Sequence, residues 1–198
     1  MSAATGLVAG LLLAAGGGSR LGGRPKALLP FHGRPLVEHA VAVLRDGGCA
    51  SVTAVLGAAA ERVRADAELT GVRTVLNEDW RTGMGSSLRT GLAALPDAAS
   101  AVLVTLVDTP GIGAPAVARL IAAHHAGADL AAATYHGRRG HPVLFARHWW
   151  PEIAETAQGD AGAREFLTAH AEALHLVECA DIAEPYDIDT PEDLARLE

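Results

Sequence analysis

Five charged residues stand where chemistry can be done. Arg20 and Lys26 share one glycine-rich stretch, Gly16-Gly17-Gly18-Ser19-Arg20-Leu21-Gly22-Gly23-Arg24-Pro25-Lys26. Glycine lets a backbone approach a ligand with no Cβ in the way. Successive N–H groups in such a loop make an anion-binding concavity, to which Arg20 and Lys26 add full positive charges. The stretch suits a polyphosphate. Asp108 closes the apolar run Ala101–Val107, and Asp187 and Asp189 stand in Asp187-Ile188-Asp189-Thr190-Pro191. Carboxylate oxygens are hard ligands, and Mg²⁺ takes one or two of them together with water and phosphate. Asp108 equally suits the cap of a following helix. Asp187 and Asp189 equally suit a charged helix entry, favoured by the helix dipole.

Two familiar phosphate loops are excluded by spacing. A P-loop requires G-x-x-x-x-G-K-[ST], and here Pro25 precedes Lys26 and Ala27 follows it. The dinucleotide fingerprint requires G-x-G-x-x-G, and a count from Gly16 places Leu21 at its last position. A second glycine stretch, Gly83-Met84-Gly85-Ser86-Ser87, precedes a helical pattern, and backbone N–H groups at a helix start suit an anion, a ribose or a base edge. Ser86 equally suits plain capping. Within Gly140-His141-Pro142-Val143-Leu144-Phe145, His141 fits either a base or a hydrogen-bonded structural residue.

These residues need a scaffold, and the chain spells one out. Leu7–Ala14 is continuously apolar, as buried parallel strands are. Further strands are expected over Val52–Leu56, Val72–Leu76, Ala101–Val107, Asp129–Thr134, His141–Phe145 and Leu174–Val177. Helices are expected from Pro35 to Gly47-Gly48, over Ala58–Ala67, from the Gly83 stretch to about Leu95, over Ala114–His125, Pro151–Ala157 and Gly162–His170, and from Pro191 onward. Tyr135–Gly140 reads as a turn, and Thr190 and Asp193 read as the cap and capping-box acid of the last helix. Alternation of strands and helices predicts an α/β fold: one domain, a three-layer αβα sandwich around a mostly parallel, Rossmann-like sheet. Ligands in such sheets bind beyond the carboxyl ends of the strands.

Composition narrows the classes. The 198 residues are 49% hydrophobic and 20% charged, with a net charge of −7, which argues against a broad nucleic-acid footprint. Cys49 and Cys179 form no C-x-x-C pair, so neither a zinc site nor a disulfide framework is expected, and a reducing cytoplasmic compartment is the simple reading. The apolar N-terminal run lacks a basic leader and reads as a strand rather than a signal peptide. No membrane association is expected.

The loop L-A-A-G-G-G-S-R-L-G-G-R-P-K resembles the signature of the MobA-like nucleotidyltransferases. Asp108-Thr109-Pro110, Asn77-x-x-Trp80-x-x-Gly83-Met84 with Ser86-Ser87-Leu88, the Gly140–Phe145 segment, Gly159-Asp160-Ala161-Gly162-Ala163-Arg164 and Asp187–Pro191 are similar to the MocA-like branch and occur in its order. The resemblance implies nucleotidyl transfer, in which an acceptor phosphate attacks an NTP and pyrophosphate leaves. It implies that Leu13, Ala14, Ala15, Gly16, Gly17, Gly18, Gly85, Ser86 and Ser87 bind the nucleotide. Arg20, Lys26 and Asp108 would be catalytic, Mg²⁺ would sit on Asp108 and Asp189, and His141, Pro142 and Asp160 would border the acceptor. The L-A-A-G form is similar to cytidylyl-transferring members, and guanylyl-transferring ones tend to carry L-A-G-G. CTP is therefore the implied donor and the molybdenum cofactor the implied acceptor, with room for a transient protein partner that delivers it. The branch commonly has Gln where Thr109 stands, which bears on acceptor choice. The Gly23–Pro30 and Gly83–Leu88 segments also resemble nicotine blue oxidoreductases, which share the fold and are assigned NAD(P)H-dependent reduction.

Overall fold

The computed structural model describes residues 6–197. Strand β1 (Leu7–Ala14) is buried along all but its first residue and forms the middle of the molecule. Its neighbours are β4 (Ser51–Leu56) and β6 (Ala99–Leu106), both parallel to it. Outside β4 lies β5 (Arg73–Leu76), again parallel. On the other side, β8 (Arg138–Ala146) pairs antiparallel with both β6 and β7 (Leu130–Tyr135), and β9 (Leu174–Glu178) runs parallel to β7 at the far edge. The order is β5-β4-β1-β6-β8-β7-β9. A two-residue ladder, β2 (Pro30–Phe31) with β3 (Arg34–Pro35), stands apart from this sheet.

Among the described residues six helices cover the sheet. On one face, α1 (Leu36–Asp46), α2 (Ala60–Asp66) and α4 (Ala114–His125) bury Leu44, Val63 and Leu120 against Leu12 and Leu103. On the other, α3 (Met84–Ala93), α5 (Trp150–Thr156) and α6 (Arg164–Ala169) bury Leu88, Ile153 and Phe166 against Leu11, Val102 and Phe145. The alternation along β1, with Leu12 on one side and Leu11 on the other, is the period-two geometry of a strand buried on both faces. The expected three-layer sandwich is present. Among the described residues no helix is long and apolar enough to cross a membrane.

The chain departs from the sequence reading in two places. The expected turn over residues 135–140 is only His136-Gly137, both in the left-handed region at φ 51° and 78°, and β8 begins at Arg138. Two positive φ values match the twist of a tight two-residue hairpin, so the strands extend almost to its tip. The expected last helix is a run of tighter 3₁₀ turns over Pro191–Leu197. Its entry is as read for Asp193, whose carboxylate accepts from the N–H groups of Asp189 and Thr190 at 3.0 and 2.8 Å; the Thr190 hydroxyl donates to that carboxylate at 2.9 Å and does not cap, and Asp193 N–H donates to the Thr190 carbonyl.

Strand order reverses beside β1: the chain steps outward from β1 to β4 and β5, then returns to β6 on the opposite side. A crevice at the carboxyl ends of β1 and β6 is the expected ligand position for this topology. The glycine loop leaves β1 and Asp108 leaves β6 at that point.

Candidate active site

The glycine loop is built by three left-handed glycines, Gly18, Gly22 and Gly23, and one fold-back. Gly18 has φ 61°, and its carbonyl accepts from the N–H groups of Leu21 and Gly23 at 2.8 and 3.0 Å. A Cβ at Gly18 would lie 1.9 Å from the Arg24 carbonyl oxygen, so only glycine lets residues 24–26 return across the turn. Trp80 flanks the loop from below, its ring 3.0 Å from where a Cβ on Gly17 would stand, and so packs the loop in place. Among the described residues, the N–H groups of Gly16, Gly17 and Gly18 donate no backbone hydrogen bond. The carbonyls of Leu13 and Ala15 are already taken, by the N–H groups of Val107 and Ala58 at 3.2 and 3.0 Å. The loop therefore presents donors, as an anion cradle must.

The fold-back aims Lys26 inward. Its ammonium donates to Asp108 Oδ2 at 2.6 Å and to Asp189 Oδ1. Arg20 reaches the other oxygen of Asp189 at 3.7 Å, with its side chain 75% exposed, so that pair adds little by itself. Asp189 arrives here because the segment ahead of it is hydrogen-bonded alongside the loop after β6: Glu184 N–H donates to the Gly111 carbonyl at 3.1 Å and Ile188 N–H to the Asp108 carbonyl at 2.9 Å. Residues separated by more than 160 positions, Lys26 and Asp189, thus share one site with Asp108. Burial opposes the charge on Lys26, but Asp108 and Asp189 outweigh it and hold its pKa above the ordinary value. Asp187 lies beside them; burial first, and then the charges of Asp108 and Asp189, push its carboxyl pKa up.

Two carboxylates converging on one cation fit Mg²⁺, which keeps waters and substrate oxygens in its remaining positions. Among the described residues no group of three or more His, Cys, Asp or Glu is arranged to enclose a metal ion. The donor set therefore matches an ion shared with a phosphate and not a closed structural site.

At the start of α3 the expected serines are present but their hydroxyls are occupied. Buried Asn77 donates its amide to Ser86 Oγ at 2.8 Å and to Ser87 Oγ at 3.0 Å, and Ser86 Oγ donates to the Gly83 carbonyl at 2.8 Å. What a ligand meets is the backbone of Gly85–Ser87. Gly83 has φ 113°, and a Cβ there would lie 2.3 Å from Gly159 and 2.7 Å from Asp160 Oδ1. The 157–162 loop is thereby clamped over the start of α3.

A cavity of about 730 Å³ opens beside this cluster, lined among others by Leu13, Thr109, His141, Asp160 and Asp187. Burial holds the His141 imidazole down at about 4, although Asp108 pulls it up, so the ring is neutral at pH 7. Pro142 is buried, follows a cis peptide bond and does not line the cavity. The structure thus divides the sequence candidates. Arg20, Lys26, Asp108 and Asp189 form one cluster, and His141 and Asp160 line the adjoining cavity. Leu13 lines that cavity, and Asp187 lies at the junction of the two. Asn77, which positions the α3 start, was legible only as the first residue of the Asn77-x-x-Trp80-x-x-Gly83-Met84 resemblance. Arg138 and Arg139 line the cavity and escaped notice because they fell within the expected turn.

A family model described as a MobA-like NTP transferase domain matches residues 10–174. The chain belongs to the MobA-like NTP transferase family. It is 45% identical to the nicotine blue oxidoreductase of Paenarthrobacter nicotinovorans, over 96% of both chains. Among solved structures, the homologue of Mycobacterium tuberculosis Rv0371c from Mycobacterium sp. strain JC1 superposes with a TM-score of 0.86 at 35% identity, covering 96% of this chain and 94% of that one. Mycobacterium tuberculosis Rv0371c in complex with manganese superposes with a TM-score of 0.82 at 29% identity, covering 97% of each chain. The matched residues include the glycine loop and Asp108 and end before Asp187 and Asp189.

Proposed function

We propose that this protein transfers a nucleoside monophosphate, CMP from CTP, to a phosphorylated acceptor, with the molybdenum cofactor as the first acceptor to test. The observation that carries the reading is the pairing of the open N–H groups of Gly16–Gly18 with the Lys26–Asp108–Asp189 cluster at the strand-order reversal. An oxygen of the acceptor phosphate attacks the α-phosphorus; the bond to the β-phosphate oxygen breaks, and pyrophosphate carries away the charge. The glycine loop and Arg20 hold the triphosphate, and Lys26 exchanges its carboxylates for the leaving pyrophosphate. Mg²⁺, held by Asp108 and Asp189, would supply charge neutralisation at the reacting phosphates. Manganese in the Rv0371c crystal structure supports a divalent cation in this fold. Positioning and charge neutralisation suffice for this chemistry without an enzyme nucleophile. Two buried free cysteines accord with a reducing, cytoplasmic setting.

The kinship to nicotine blue oxidoreductase favours a second reading, NAD(P)H-dependent reduction on the same scaffold. The missing dinucleotide fingerprint weighs against it. Calorimetric titration with the four NTPs, NADH and NADPH, each with Mg²⁺, separates the two. CTP binding followed by pyrophosphate release on adding molybdopterin is the expected result. Binding of NADPH alone reverses the ranking.

A further inference from the structure

The 730 Å³ cavity has a floor and a rim of opposite character. Its floor includes Leu88, Val104, Val143 and Phe145; its rim carries Arg138, Arg139 and Arg164. Among the described residues none of these three arginines has a carboxylate within salt-bridge distance. Against the two carboxylates that also line the cavity, Asp160 and Asp187, the three unpaired guanidinium groups leave its opening net positive in a chain of net charge −7, which favours an anion there. Their position follows from the sheet. β8 runs antiparallel to β6 with Val143 opposite Val104, so the start of β8 lies at the end where β6 delivers Asp108. Next to it, three β8 residues (140–142) face Ala133 alone, because Ala132 pairs with Val143 while Thr134 pairs with Arg139. Such a bulge re-aims the side chains around it, and the Tyr135 hydroxyl pins it by donating to the His141 carbonyl at 2.6 Å.

We infer that Arg138, Arg139 and Arg164 clamp the phosphate of an acceptor whose body is an apolar ring system lying on the aliphatic floor, and that they select against sugar phosphates. The inference rests on the nucleotidyl-transfer reading for its use of a phosphate. A guanidinium fork matches phosphate oxygens in bidentate geometry. Where the buried side chains of Leu88, Val104, Val143 and Phe145 cover it, a sugar hydroxyl finds no partner, which costs binding, whereas a ring system gains by burying its face there.

Calorimetry of the intact protein with 1-naphthyl phosphate, 1-naphthol, glucose 1-phosphate and inorganic phosphate tests this. Expected is binding of 1-naphthyl phosphate at least about tenfold tighter than any of the other three, with Arg139→Ala and Arg164→Ala each weakening it by about tenfold or more, as for a lost hydrogen bond to a charged group. Both side chains are exposed, so melting curves should stay in place. Equal affinity for glucose 1-phosphate, or unchanged 1-naphthyl phosphate affinity in both variants, overturns the inference. A parallel titration with CTP and Mg²⁺ reports on the donor site: CTP binding without 1-naphthyl phosphate binding overturns the clamp alone, whereas 1-naphthyl phosphate binding with no NTP bound overturns nucleotidyl transfer and leaves the clamp standing.

Discussion

On the proposed mechanism Lys26 has two tasks that exclude one another in time. In the nucleotide-free chain its ammonium neutralises Asp108 and Asp189; during transfer it must face the leaving pyrophosphate. Removing it therefore moves two observables in opposite directions. Lys26→Ala should slow pyrophosphate release on the order of 10²-fold or more, as when a group facing developing charge is lost. Titrated without nucleotide and read by electron paramagnetic resonance, Mn²⁺ should bind the same variant more tightly than wild type, because two carboxylates lose their resident cation. An unchanged Mn²⁺ affinity would mean that Lys26 does not compete for the carboxylates. Asp108→Asn keeps the shape of the side chain and removes the charge a hard cation needs. Mg²⁺-dependent turnover should vanish while the melting curve keeps its cooperative shape. Normal Mg²⁺ dependence in that variant would return Asp108 to a capping role.

At the scale of elements, the start of α3 depends on Asn77, which lies just after β5. Asn77 is 3% exposed and ties two helix hydroxyls together, while its own carbonyl oxygen accepts from Asp79 N–H at 3.0 Å. Truncation would leave two buried serine hydroxyls short of a donor. A buried polar group left unsatisfied costs about 1–3 kcal/mol. Asn77→Ala should lower stability to denaturant by about that amount and raise KM for CTP more than it lowers kcat, since it loosens a binding element and touches no reacting atom. Urea unfolding and steady-state kinetics check both. Equal losses in kcat and kcat/KM at unchanged KM would place Asn77 in the chemical step instead.

At the scale of the whole molecule, stability should carry the mark of His141. Its imidazole is held at about 4 by burial, against an ordinary value of 6.5. Between those two values the unfolded chain binds the proton and the folded chain does not, so stability rises with pH across that window. The contribution is complete above about pH 6.5 and is lost progressively as the pH falls toward 4, by at most about 3–4 kcal/mol for a shift of this size. Melting temperatures of wild type and His141→Asn should converge or cross as the pH falls through this range. Parallel curves from pH 7 to pH 4 would show that His141 titrates normally in the folded chain.

Local sequence determined a good deal of this molecule. The apolar run Leu7–Ala14 had one stable fate, burial on both faces of a parallel sheet. Gly18, Pro25 and Lys26 encode their turn because left-handed backbone, a fixed φ and a positive charge are properties of single residues. The acid Asp193, three residues after Thr190, was likewise legible, although the Thr190 hydroxyl turned to it and the helix tightened into 3₁₀ turns. Tertiary structure decided the rest. No local pattern states that Asp189 joins Lys26 and Asp108, because that meeting depends on the 184–188 segment hydrogen-bonding beside the loop after β6. The reversal before β8 was legible as a turn, but its length was not: only His136-Gly137 turn, so β8 begins at Arg138 and carries Arg138 and Arg139 to the mouth of the cavity. The hydroxyls of Ser86 and Ser87 look available in the sequence and are taken in the fold, because Asn77 reaches them only when β5 and α3 have packed. Propensity and turn chemistry act over a few residues and can be read from them, whereas the partners of a charge or a hydroxyl are set by chain segments that only the folded sheet brings together.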